Sequence, residues 1–275
     1  LLAATCGPGA AARAGRGPVD VLYAGSLVNL MERALGPAFE RATGYQFTGF
    51  GAGSKDLAAA IKGGVRRADV FVSAAPSVDA GLEGAANGDW VSWDASFARS
   101  GLVLGYNPHS RFASQLRSRP WYEVVGEPGF LLGRTDPATD PKGALSVKAL
   151  TSAPRSGGSG RLEEIARSPS DVFPEQTLVG RLQAGQLDAG FFYTVEAREA
   201  GIPALSLAPV DLGATFTVTV VRGAPHEAGA VAFVRYLLGA AGRRLLTAHG
   251  LALITPPAVS GGPVPSPLAQ VLPRP

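Results

Sequence analysis

The stretch TDPATDPKG at 135–143 sets two acids, Asp136 and Asp140, each directly before a proline. A proline ring disfavours helical backbone at the residue ahead of it, so both acids are confined to extended or turn geometry. The loop is therefore stiff and polar, and it leads into a helical pattern that opens near Lys142. An acid held this way either hydrogen-bonds the backbone of its own turn or serves a site. Two serines share a second setting. Ser26 in YAGSL and Ser54 in GAGSKD each stand between a β-rich run and a helical pattern. Alone, each reads as a helix N-cap contributing about 1 kcal/mol. Together they mark two helix N-termini at the carboxyl ends of neighbouring strands, where open α/β sheets take up ligands. Gly25 and Gly53 leave the backbone bare beside each serine, so N–H groups and hydroxyls can converge on an anion.

The elements that must position these groups alternate along the chain. VDVLYAG (19–25), YQFTGFGAG (45–53) and ADVFVSA (68–74) read as strands. Between them, Leu27, Leu30, Met31, Ala34, Leu35 and Phe39 recur at helical spacing, and SKDLAAAIKGG is a second helix stopped by Gly63-Gly64. This βαβαβ order predicts a parallel sheet covered by helices on both faces. FARSGLVLGYNP (97–108) is a strand long enough to pass from one lobe to another. A second α/β unit follows, with helices from about Lys142 and Glu175 and a strand DAGFFY (188–193). The expected class is a two-lobed α/β chain, each lobe a mainly parallel sheet flanked by helices. Residues 1–17 read as a leader, 18–100 with 209–254 as lobe I, 101–208 as lobe II and 255–275 as a flexible Pro-rich tail. Residues 153–172 are low in apolar content and read as a loose excursion.

Composition narrows the function. Hydrophobic residues make up 46% of the 275, enough for a packed core. The formal net charge is only +3 and the basic residues are dispersed, so a nucleic-acid surface is not expected. No GxxxxGK[ST] segment is present, which argues against a nucleoside triphosphate and for a smaller oxyanion. No run reaches the roughly 18 apolar residues of a membrane helix. The opening LLAATCGPGA reads as the end of an apolar export signal, with lipid attachment at Cys6 an open alternative despite Thr5 before it. His109, His226 and His249 are scattered and suggest no zinc site. Trp90, Trp93, Trp121 and Tyr122 read as packing rather than a sugar platform.

The ordered series VLYAGSLVNLMERALGPAFERATG, GFGAGSKDLAAAIKGGVRRADVFVSAA, GRTDPATDPKG and EQTLVGRLQAGQLDAGFFYTVEAREAG resembles the periplasmic molybdate/tungstate-binding proteins of ABC importers. The resemblance runs from about residue 19 to 254 and implies the two-lobed periplasmic-binding-protein fold of the second type. It also implies that Ser26 and Ser54, with Gly25 and Gly53 beside them, donate to oxyanion oxygens. In the tungstate/archaeal-type branch the lobe II loop reads Asp-Pro-Cys-Gly, which places its acid on Asp140 and puts Lys142 where that branch has cysteine. The branch's second acid falls on Glu175, and its tyrosine, 18 residues on, falls on Tyr193. In that reading Asp140 and Glu175 are ligands of the Mo or W atom of the bound oxyanion. A hard d⁰ centre suits oxygen donors, and two carboxylates would raise it from four- to six-coordinate. Left as mere structure, Asp140 would cap its own turn and Glu175, after Pro174, would be a first-turn helix acid.

The expected protein is then an exported receptor, periplasmic or extracellular, working as a monomer. It would close two lobes on molybdate or tungstate and deliver it to an ABC permease, with no cofactor and no enzymatic step. The same scaffold could instead hold sulfate, thiosulfate or ferric ion, although ferric sites favour paired tyrosines and only Tyr193 is on offer. An enzyme using Asp140 and Glu175 as an acid/base pair would need a nucleophile or cofactor loop that the sequence does not supply.

Overall fold

The computed structural model describes residues 15–154 and 160–272, so Cys6 and the rest of the leader to residue 14 lie outside the described part. β1 (Pro18–Ala24), β2 (Gln46–Ala52) and β3 (Val70–Ser73) form where the sequence places them. β1 pairs in parallel with both neighbours, because a helical crossover returns the chain to the same end each time. The first crossover is a 3₁₀ turn at Gly25–Leu27, α1 (Val28–Leu30), a π turn at Met31–Leu35 and α2 (Gly36–Thr43). The π turn has a local cause: Pro37 has no N–H to offer the Arg33 carbonyl, so the ladder loosens there. α3 (Ser54–Lys62) is the second crossover, and α4 (Pro76–Ala80) follows β3.

β4 (Trp93–Tyr106) joins the two halves. Its first part pairs with β8 (Gly213–Val220) and β9 (Ala252–Gly261). Its last residues, Leu102–Tyr106, pair with β6 (Ala189–Tyr193), and β7 (Ala204–Ser206) lies on its other edge. β6 in turn takes β5 (Leu132–Gly133) in parallel. The sheet thus runs β2-β1-β3-β8-β4-β6-β5, with β7 and β9 both on β4. Parallel pairing holds within β1–β3 and between β5 and β6. Everything on β4 is antiparallel, as is β8 on β3, because those strands return beside the long one without a same-end crossover.

Helices cover both halves. α5 (Ala113–Ser118), α6 (Trp121–Val125), α7 (Pro141–Ser152), α8 (Gly160–Arg167), α9 (Glu175–Gln183) and α10 (Thr194–Glu199) belong to the second. α11 (Glu227–Leu238) and α12 (Ala240–Ala248) return to the first. There Phe39 of α2 meets Phe233 of α11 edge-on at 5.2 Å between ring centroids, over buried Val19 and Val21 of β1. Trp93 and Trp121 are buried, the latter donating its indole N–H to the Leu207 carbonyl at 3.0 Å. Among the described residues no helix is long and apolar enough to cross a membrane.

Two expectations need correction. The tail read as flexible instead supplies β9, which covers an edge of β4 that would otherwise offer unpaired backbone. Pro256 and Pro257 sit where the β4–β9 register skips between Leu253 and Ala258, so no ladder N–H is required of them. Beyond it Leu268 and Leu272 are buried. The described part of the excursion from Gly160 on also docks: α8 buries Leu162, Ile165 and Ala166. Arg134 holds its end, donating Nη2 to the carbonyls of Ala166 and Ser168 at 2.9 and 2.8 Å. Low apolar content misled because three well-spaced residues suffice for one short amphipathic helix. His226 is not isolated either: its ring and backbone N–H both meet Asp69, which also accepts from the Asp20 N–H and so ties β1, β3 and α11 together.

Candidate functional site

Ala24 and Ala52 are register partners at the ends of β1 and β2, so the turns that follow them lie side by side. Neither serine is the N-cap that its spacing suggests. Ser26 lies inside the 3₁₀ turn, buried, and its hydroxyl has no partner among the described residues. Ser54 is the first residue of α3, with Gly53 at the cap, and its Oγ accepts the Ala74 N–H at 3.1 Å. Accepting there, it still has a hydrogen to give.

The lobe II loop faces these turns, and its two acids part company. Asp136 lines the cavity but commits its carboxylate to its own turn, accepting the Ala138 N–H at 2.8 Å. Asp140 caps α7, accepting the Lys142 N–H at 2.8 Å, but its carboxyl is also buried and in hydrogen-bonding contact with Glu175. Gly143 allows the loop to fold back on the helix start, because a Cβ there would come within 2.5 Å of Asp136 and Thr135 backbone atoms. Glu175 opens α9 after Pro174. Tyr193 ends β6 with its ring buried and its hydroxyl unpartnered among the described residues.

The two lobes touch across this site. The Thr139 carbonyl accepts from the Lys55 and Asp56 N–H groups at 3.1 and 3.2 Å, and Lys55 Nζ donates to the Pro137 carbonyl at 2.7 Å. The N–H groups at the α3 N-terminus, expected to face an anion, are therefore engaged in closing the lobes. The bare glycines serve the same contact: a Cβ on Gly53 would strike the Thr139 carbonyl, and one on Gly25 would strike the Glu175 side chain. A cavity of about 230 Å³ remains, lined by Gly53 and Asp56 from one side and Thr135, Asp140, Phe173 and Glu175 among others from the other.

Three groups here escape a reading of the sequence. Thr135 lines the cavity with a buried hydroxyl that has no partner among the described residues. Lys142 is fully buried, with Nζ 2.8 Å from Glu175 and 2.7 Å from Glu196. Glu196 also accepts the Tyr193 N–H at 3.3 Å. The signal for Glu196 was its place three residues after Tyr193, the spacing of a carboxylate that reaches back to a helix start.

Electrostatics follow from burial. Burial, then the charge of Glu175, hold the Asp140 carboxyl well above the usual range, against the pull of Lys142. Burial raises Glu196 to about 7, with Lys142 opposing. Burial by itself lowers the Lys142 pKa, but Glu175, Glu196 and Asp140 together keep it above the ordinary lysine value. Tyr193 is raised by burial and by the three acids, so its phenol keeps its proton. The cavity wall thus carries the Thr135 hydroxyl and the Asp140–Glu175 acid pair, with one ammonium behind it, while the hydroxyl-bearing Ser26, Ser54 and Tyr193 are buried but not part of the lining.

Two lobes strung on one long strand, closing on a small cavity at strand ends, define a solute receptor. The chain belongs to the bacterial extracellular solute-binding protein family, whose model matches residues 19–252. A Haloferax volcanii protein named as an ABC transporter molybdenum-binding protein is 30% identical over 222 residues, covering 80% of this chain and 66% of that one. The molybdate/tungstate-binding protein WtpA of Thermococcus kodakarensis is 23% identical over 217 residues, 60% of this chain and 61% of its own length. Among solved structures, the periplasmic molybdate-binding protein of Azotobacter vinelandii shares the fold at a TM-score of 0.65 and 18% identity, covering 86% of this chain and 99% of that one.

Proposed function

We propose that this chain is the receptor of an ABC importer for molybdate or tungstate. The observation that carries the reading is the buried acid pair Asp140–Glu175, set against the hydroxyl-bearing turns of Ser26 and Ser54 across the lobe boundary. Bare carboxylates would repel a dianion. They fit one whose central atom accepts oxygen ligands, and Mo(VI) and W(VI) do so. Ser26, Ser54 and Tyr193 would donate to the oxyanion oxygens, while Asp140 and Glu175 bind the metal of the cargo and Gly25 and Gly53 let the lobes meet around it. Sulfate, whose sulfur takes no such ligands, would gain nothing from the pair. Ferric ion wants phenolates, and the raised pKa of Tyr193 opposes one here. The names of the Haloferax and Thermococcus relatives support the same cargo.

In this reading the protein works outside the cytoplasm as a monomer, hands its ligand to a membrane permease and catalyses nothing. Lipid attachment at Cys6 is compatible with that life and falls outside the described residues. Isothermal titration of the stripped protein with tungstate, molybdate and sulfate tests the proposal. One-to-one binding of the first two with sulfate silent is expected. Equal binding of sulfate would reduce the acid pair to a structural contact, and heat from none of the three would end the oxyanion reading.

A further inference from the structure

Lys142 leaves the first turn of α7 two residues after Asp140, yet its side chain is fully buried. Its Nζ lies 2.8 and 2.9 Å from the oxygens of Glu175 and 2.7 and 3.0 Å from those of Glu196, with the Phe192 and Tyr193 rings at 5.4 and 5.8 Å. A buried ammonium needs a paired acid, and one would balance its charge. Here there are two, and they differ in status. Glu196 is fixed from behind, because it also accepts the Tyr193 N–H in the first turn of α10. Glu175 lines the cavity and touches Asp140. Lys142 therefore links an acid behind the wall to an acid in the wall, and does not itself line the cavity.

We infer that Lys142 is a positioning residue of this site: anchored on Glu196, it fixes the Glu175 carboxylate in the cavity wall, where it can serve as a ligand for a metal oxyanion. The inference rests on molybdate or tungstate being the cargo. Without the ammonium, Glu175 and Glu196 would be two buried acids with no counter-charge. Glu175 would also lose the donor that fixes its direction, and a metal ligand not held in place by its outer partners binds more weakly. Lys142 also places a positive charge directly behind the acids of the wall that a dianion approaches. It touches neither the oxyanion nor the metal.

The test compares wild type, Lys142→Met and Lys142→Met/Glu196→Met. Sodium molybdate is titrated calorimetrically, thermal unfolding is recorded, and molybdenum K-edge absorption gives the coordination number of the bound metal. A merely structural lysine would matter only through the stranded Glu196, so removing both should restore stability and binding together. A positioning lysine predicts otherwise. The single variant should melt lower and lose about 10–100-fold in affinity, the scale set by outer-shell partners of metal ligands. The double variant should regain the melting temperature, keep the weak affinity, and hold four-coordinate rather than six-coordinate molybdenum. A double variant with wild-type affinity and coordination would overturn the inference. Should the single variant not fold, the double variant decides alone. Wild type that takes no molybdate would overturn the cargo reading and this inference with it, whereas wild type that holds molybdate four-coordinate would overturn this inference and leave the cargo reading standing; neither outcome needs a variant to be seen.

Discussion

Gly25 lies against Glu175 across the lobe boundary: a Cβ on Gly25 would come within 2.5 Å of the Glu175 Cγ. The second turn is just as close, since a Cβ on Gly53 would meet the Thr139 carbonyl oxygen at 2.6 Å. The two obstacles differ in kind. The Glu175 side chain, though paired with Lys142, can still yield by a change of rotamer, whereas the Thr139 carbonyl is backbone fixed by the N–H groups of Lys55 and Asp56. Gly53→Ala should therefore hold the lobes apart more than Gly25→Ala does. Overpacking of this sort costs on the order of 1–3 kcal/mol, and here the cost falls on the closed form alone. Small-angle scattering with saturating molybdate should show a larger radius of gyration for Gly53→Ala than for wild type, with weakened binding in the same order. Identical radii would mean that closure does not depend on this approach.

The acid pair makes a prediction about selectivity. Asp140→Asn and Glu175→Gln preserve shape and remove a ligand for the metal. Each should weaken tungstate binding by 10-fold or more, roughly the effect of deleting a partner of a buried charge, while leaving any weak sulfate binding unchanged. Asp136→Asn, in the same loop, should do far less, since Asp136 lines the cavity but its carboxylate is taken up by the Ala138 N–H of its own turn. Competition titration of tungstate against sulfate across the three variants decides it. Equal losses for both anions would make the pair an ordinary polar wall.

The serines separate binding from folding. Ser26 makes no protein hydrogen bond among the described residues, whereas Ser54 accepts from the Ala74 N–H. Each serine-to-alanine change removes one donor to a buried anion, about 1–3 kcal/mol of binding. Only Ser54→Ala also strands a buried N–H, so only it should lower the melting temperature of ligand-free protein. A Ser26→Ala variant that melts early would show that its hydroxyl serves the fold.

Much of this was legible in the residues. Glycine-serine turns after two β-rich runs marked the two strand ends that lie side by side, and the Asp-Pro steps marked the loop that meets them. Two things were not legible. Helix N-terminal N–H groups can serve a ligand or a neighbouring lobe, and only the Thr139 carbonyl against Lys55 and Asp56 shows which. The charge partners of Lys142 come from residues 33 and 54 positions away, and no local pattern encodes such a pairing. The proline-rich tail misled for a related reason: composition speaks of local stiffness, but whether an open strand edge waits for the segment is a property of the whole sheet.

Far from the cleft, Asp79 gives the fold a pH dependence of its own. Its Oδ2 accepts from Ser73 and Thr217 at 2.6 Å each, and its Oδ1 has no partner among the described residues. Burial lifts its pKa from 3.8 to about 7, with the two hydroxyls pulling down and Asp94 pushing up. Raising an acid's pKa on folding means that the folded state holds its proton where the unfolded chain has released it. Stability from this group is thus full below pH 3.8 and drains away as pH rises to about 7. The whole effect is on the order of a few kcal/mol. Asp94, raised to about 6, and Glu196, at about 7, add slopes of the same sign, so wild type alone cannot isolate Asp79. Asp79→Asn can, because asparagine still accepts from both hydroxyls and has no proton to lose. Urea midpoints measured between pH 4 and pH 8 should fall less steeply for the variant than for wild type, the two curves converging at the acid end and parting toward neutrality. Parallel curves would mean that Asp79 is ionised in the folded protein throughout, with a counter-charge supplied by a neighbour.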